Sequence, residues 1–185
     1  MRLLKLLIVA FLLQLSISTQ AQLVWKQGYV LLNTGDTVKG EIKIPKKEFD
    51  FYSKVMVKRS EDEKKTFNPA KAKEFSFEGT RFVSKQVDGE TTFVKCLSAG
   101  SLNLYEYQYE WQSGNNIIYK SEFYLEKANT TEMVKVKSGH FRKIVEEFMS
   151  GDTALLKDVQ DKKYDFEQLT EVFQQYNDWA KTQKS

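Results

Sequence analysis

One cysteine and one histidine in 185 residues exclude an internal disulfide and every metal site or mechanism that needs two imidazoles. The 28 basic and 25 acidic residues nearly balance and alternate along the chain. That pattern argues against the clustered basic face a nucleic-acid partner requires.

The chain opens on a basic start, Arg2 and Lys5, followed by an unbroken apolar run from Leu6 to Leu13 and a small or polar stretch from Ser16 to Ala21. That order predicts a secretory signal peptide over residues 1–21, cut between Ala21 and Gln22. The apolar run is shorter than the ~20 residues a spanning helix needs, so no transmembrane anchor is expected once the leader is removed. Loss of Arg2 and Lys5 lowers the formal charge from +3 to +1. Residues 22–185 are expected to form a single domain, with a β-rich part over 22–137 and a helical part over 138–185.

From Leu23 onward, short runs rich in Val, Ile, Phe, Tyr and Thr alternate with polar residues and break at Gly, Asn and Asp. "GYVLLNTGDTVKGEIKI", residues 28–44, predicts a hairpin closed by a two-residue Gly35-Asp36 loop. In that register Leu31 faces Gly40, Tyr29 faces Ile42 and Val30 faces Glu41. "RSEDEKK", residues 59–65, reads as a solvated connection. "TTFVKCLS" sets Cys96 on the strand face of Val94, where a lone thiol acts as a small buried hydrophobe.

Tyr105, Tyr107, Tyr109 and Trp111 alternate, so their side chains share one strand face. An aromatic row outside the cell is a candidate ligand platform, above all for sugars. A three-residue Ser113-Gly114-Asn115 loop would pair Trp111 with Ile117 and Tyr109 with Tyr119, burying the rings in one sheet face. A two-residue or four-residue loop would set the tyrosines among Lys120 and Glu122 instead. The apolar pattern selects the three-residue loop and hence a core role.

After Lys137 the period lengthens. Phe141, Ile144, Val145 and Phe148 fall at helical spacing, with Gly151 as the stop. Asp152 caps a second helix carrying Leu155, Leu156 and Val159. Asp165, with Gln168 three residues on, caps a third helix whose stripe is Phe166, Leu169, Val172, Phe173, Tyr176 and Trp179 or Ala180. Asp152, Asp158, Asp161 and Asp165 alternate with lysines as an ion-paired helix surface, and His140 sits where the first helix begins. Strands first and helices last predict an α+β fold, an antiparallel sheet or partly closed barrel followed by C-terminal helices. No phosphate loop, nucleophile elbow or calcium loop is present, so no catalytic, cofactor or metal residue is assigned.

The leader, "GYVLLNTGDTVKGEIKI", "FNPAKAKEFSFEG", "FVKCLSAGSLNLYEY", "EFYLEK" and the late "QQYN", in that order, resemble a family of small exported proteins of Gram-negative bacteria, of unknown function. The resemblance implies a β-rich protein of the periplasm or cell surface and brings no catalytic residues. The expected function is a non-catalytic cell-envelope domain that binds an envelope protein, a peptide or a glycan through sheet edges and hairpin tips. The alternatives are an envelope hydrolase using a carboxylate pair, which requires two acidic groups converging in a cleft, and an assembly protein acting through oligomerisation.

Overall fold

A computed structural model describes residues 24–183; the expected leader and the expected cut between Ala21 and Gln22 lie outside them. Ten strands form one antiparallel sheet: β1 (Val24–Leu32), β2 (Thr37–Ile44), β3 (Val55–Lys58), β4 (Lys64–Phe67), β5 (Ala72–Phe77), β6 (Thr80–Val87), β7 (Glu90–Ser98), β8 (Leu102–Ser113), β9 (Asn116–Lys127) and β10 (Met133–Val136). Their order is β10-β9-β8-β7-β6-β5-β1-β2-β3-β4, two meanders joined where β1 pairs with β5. Of the two forms the pattern allows, the open sheet is the one adopted. Its edges, β4 and β10, are only four residues long. β4 begins with Lys64 and Lys65, so the edge is short and charged, which discourages a further strand from adding to it. β4 also corrects the reading of 59–65: only Arg59–Glu63 is a solvated connection, closed by the Arg59 N–H donating to the Glu63 carbonyl at 3.0 Å.

The first hairpin forms in a different register from the expected one. Leu31 faces Thr37, Val30 faces Val38 and Tyr29 faces Lys39, a shift of three residues. An odd shift exchanges the faces. Val30 and Ile42 therefore enter the core fully buried, while Tyr29 points to the other side and donates to Glu74 at 2.6 Å. The cause is the turn. The Gly35 N–H donates to the Leu32 carbonyl and the Leu32 N–H to the Asp36 carbonyl, with Gly35 at φ +94°. Glycine thus ends a three-residue loop in the left-handed region instead of opening a two-residue one.

Two clusters fill the sheet's core face. At the β1–β6 end, Phe75 stacks on Phe82 at 4.8 Å and meets Phe93 edge-on at 5.0 Å. Phe51, from a 3-10 turn over Glu48–Tyr52, covers them at 5.2–5.3 Å. At the β8–β10 end, Leu102, Leu104, Leu125 and Val136 pack against three helices, α1 (Phe141–Phe148), α2 (Thr153–Gln160) and α3 (Leu169–Thr182). The caps fall where expected. Asp152 accepts the Leu155 N–H at 3.1 Å, and Asp165 and Gln168 close a reciprocal box through a 3-10 turn over Phe166–Gln168 that leads into α3. Leu169, Val172, Phe173 and Ala180 are buried as the stripe predicts. Asn177, a polar residue on the same face, is buried with them.

Among the described residues no helix is long and apolar enough to cross a membrane.

Candidate functional site

The β8–β9 hairpin carries the aromatic row, and its register corrects the expected one. Ser113 pairs with Asn116, Trp111 with Ile118, Tyr109 with Lys120, Tyr107 with Glu122 and Tyr105 with Tyr124. The loop is the two-residue Gly114-Asn115, with Gly114 at φ +60° in the first central position, as a type II′ turn requires. Turn chemistry overrides the apolar pattern because the outer half of the hairpin packs into no core. β7 pairs with β8 only as far as Lys95–Glu106, and β10 reaches β9 only from Phe123 to Glu126. From Tyr107 to Glu122 the ribbon is two strands wide, an arm on the order of 20 Å long at ~3.3 Å per residue.

The four aromatics therefore meet different fates along one face. Tyr105 is buried, and its hydroxyl donates to Glu126 at 2.8 Å. Burial first, and that carboxylate second, push its pKa up. Tyr107 is half-buried where the arm leaves the sheet, edge-on to Tyr52 at 5.9 Å and stacked on Tyr109 at 6.2 Å. Burial raises the pKa of both, with Glu90 and Asp88 adding at Tyr107 and Glu122 at Tyr109. Trp111 is 49% exposed and lies under the Lys120 ammonium at 4.3 Å from the ring centre. The core role holds for Tyr105 and is overturned for Trp111. The surface row is Tyr107, Tyr109 and Trp111, with phenols held neutral at ordinary pH.

At the tip the arm exposes large apolar groups on both faces. Trp111 and Ile118 (41% exposed) share one face, while Ile117 (62%) and Tyr119 (40%) share the other. Tyr119 is tied to the 3-10 turn and the residue before it. The Lys47 ammonium donates to its hydroxyl at 2.7 Å, that hydroxyl donates to Glu110 at 3.1 Å, and Phe49 packs on its ring at 5.0 Å.

The same segment walls a cleft of about 430 Å³, a size that suits a small ligand. Ile44, Pro45, Phe51 and Met56 give it an apolar lining, and Lys43, Lys46 and Lys54 line it as well. Asp50 is the carboxylate in the lining, and among the described residues none of the three lysines is ion-paired. Sequence spacing gave no sign of this group. Lys43 is the next-to-last residue of β2, Lys46 follows Pro45 and Lys54 precedes β3, and only the fold gathers them.

The remaining candidates lie apart. Cys96 is half-buried, not buried, on the face of Val94, with the Arg81 guanidinium donating to its sulfur at 3.5 Å. His140 is exposed at the start of α1 and makes no capping bond through its side chain. Asp152 and Asp165 serve as caps, and Asp158 pairs with Lys163 at 2.5 Å. Glu126 is the deeply buried carboxylate, held by Lys85 at 2.5 Å as well as by Tyr105. Glu122 and Glu61 have lowered pKa values: at Glu122 bonds from Lys135 and Tyr124 outweigh an upward push from burial, and at Glu61 the Lys58 ammonium is the cause. Both are thereby kept ionised. Among the described residues no group of three or more His, Cys, Asp or Glu side chains is placed to hold a metal ion.

Comparison with protein-family models, with curated proteins and with solved structures found no match.

Proposed function

We propose that the chain is an exported, non-catalytic binding domain of the bacterial cell envelope, and that the β8–β9 arm is its contact organ. The observation that carries this reading is the arm itself: a ribbon without sheet neighbours whose tip exposes Trp111, Ile117, Ile118 and Tyr119. Ordinary monomer surfaces scatter such groups singly, and a cluster of them marks an interaction site. The sheet's edges are only four residues long and β4 carries two lysines, so they offer a poorer surface and the hairpin tip takes the contact role. The basic start, the apolar run and the Ser16–Ala21 stretch of the leader support export to the periplasm or the cell surface.

The test is affinity capture from the native envelope with tagged chain and with an Ile117→Asp/Ile118→Asp variant. Both residues are exposed, so the variant should retain its melting temperature. The reading expects envelope material retained by the native chain and released by the variant. Equal capture by both, or turnover of chromogenic glycan or peptide substrates by the native chain, would replace it with a different contact surface or with the hydrolase reading.

A further inference from the structure

Resting on that reading of the arm, we propose that its tip inserts into an anionic lipid surface, with the neighbouring lysines at headgroup level. The tip has two apolar faces. A protein docked on the ribbon covers one face and leaves the other wet. The headgroup–acyl boundary of a bilayer surrounds an inserted tip and takes up both Trp111 with Ile118 and Ile117 with Tyr119. Tryptophan and tyrosine are the residues that favour this boundary, having an apolar body and a polar handle.

Each face also carries its own cation beside the apolar groups. Lys120 lies over Trp111 on one side, and Lys47 bonds the Tyr119 hydroxyl on the other. In this position a lysine stem stays with apolar surface while its ammonium reaches the headgroups. Glu110, the carboxylate of the tip, is engaged by the Tyr119 hydroxyl. The charge of the adjoining cleft fits the same partner. Lys43, Lys46 and Lys54 line it without ion-pair partners among the described residues, and each basic group near an anionic leaflet adds to its attraction. Apolar insertion together with a basic patch is the two-part arrangement that stable peripheral attachment needs.

The experiment uses protein recovered after export, its new N-terminus fixed by mass so that no apolar leader contributes. It is sedimented with vesicles of phosphatidylcholine alone or mixed with phosphatidylglycerol, at low and high salt. Expected is binding to the mixed vesicles at low salt, weakened as salt rises. Binding should fall by about tenfold or more in Ile117→Asp/Ile118→Asp, and its salt dependence should flatten in a Lys43→Ser/Lys46→Ser/Lys54→Ser variant. Native protein left in the supernatant at low salt overturns the proposal, as does equal binding by the Asp variant. A dimer in gel filtration that the Asp variant dissolves overturns it too, assigning the tip to a second copy. If vesicles fail while envelope capture still depends on the tip, the arm remains the contact organ and only its lipid partner is lost.

Discussion

Asn177 of α3 grips Leu102 at the start of β8. Its amide nitrogen donates to the Leu102 carbonyl at 2.7 Å and its carbonyl oxygen accepts the Leu102 N–H at 3.0 Å, while a second amide hydrogen reaches the Ser98 hydroxyl at 2.9 Å. Gly100 lies so close that an added Cβ would sit 2.5 Å from the Asn177 amide carbon. The late "QQYN" and the "CLSAGSLNL" stretch thus meet at one clamp that fixes the helices to the sheet. Asn177→Ala leaves both backbone groups of Leu102 buried and unpaired and should cost about 2–4 kcal/mol. Gly100→Ala should destabilise through the clash alone. Urea unfolding of both variants and of the double variant measures this, and a combined loss smaller than the sum marks the contact.

Tyr52 makes the opposite case. Its ring closes on Phe82 and Tyr107 at the base of the arm, but its buried hydroxyl has no hydrogen-bond partner among the described residues. An unpaired buried hydroxyl costs about 1–3 kcal/mol. Tyr52→Phe keeps the ring contacts and removes that cost, so the melting temperature should rise by about 2–4 °C. An unchanged or lower value in calorimetry counts against the packing described at this point.

Glu126 and Lys85 should behave as a unit. Glu126 is buried and Lys85 retains some solvent access. Lys85→Met strands the carboxylate in the core and should cost about 3 kcal/mol. Lys85→Met/Glu126→Leu removes both charges and should recover most of that loss, leaving the Tyr105 hydroxyl without its acceptor as the residual cost. Denaturant midpoints of the two variants decide between a coupled pair and two independent surface groups.

Stability should fall in acid partly through Glu122, whose carboxylate pairs with Lys135 at 2.5 Å and accepts the Tyr124 hydroxyl. Its pKa in the fold lies below the ordinary glutamate value of 4.5. Its contribution is therefore complete above that value and disappears as pH drops through the lower folded one. Glu122→Gln should be less stable than the native chain at neutral pH, by no more than about 1 kcal/mol for so partly exposed a pair. The two should converge once the pH has fallen through that lower folded value. A gap that widens in acid reverses the assigned sign.

Much of the architecture was legible because burial writes a period into the chain. β2, β6 and β9 occupy the very stretches that alternate, and both aspartate caps precede their helices. The registers of the two hairpins were not legible, for two different reasons. At Gly35 the same dipeptide can begin a two-residue loop or end a three-residue one, and the choice exchanges the faces of Val30 and Tyr29. At Gly114 the alternation of Tyr105 to Trp111 implied a buried face, yet the sheet stops at Glu106 and nothing buries the outer rings. An apolar pattern fixes register only where a core receives it. The lysine cleft was illegible for a third reason: Lys43, Lys46 and Lys54 are gathered by a bend around Pro45 and the 3-10 turn.

Trp111 offers the most direct test of the arm as an inserted contact organ. Its emission can be isolated as the difference between native chain and Trp111→Phe, both recovered after export. Added to phosphatidylglycerol vesicles carrying nitroxide-labelled acyl chains, the native chain should lose Trp111 emission strongly, and the loss should vanish in the variant. Quenching of equal size in both, or none in either, would contradict an arm that enters the lipid surface by its tip.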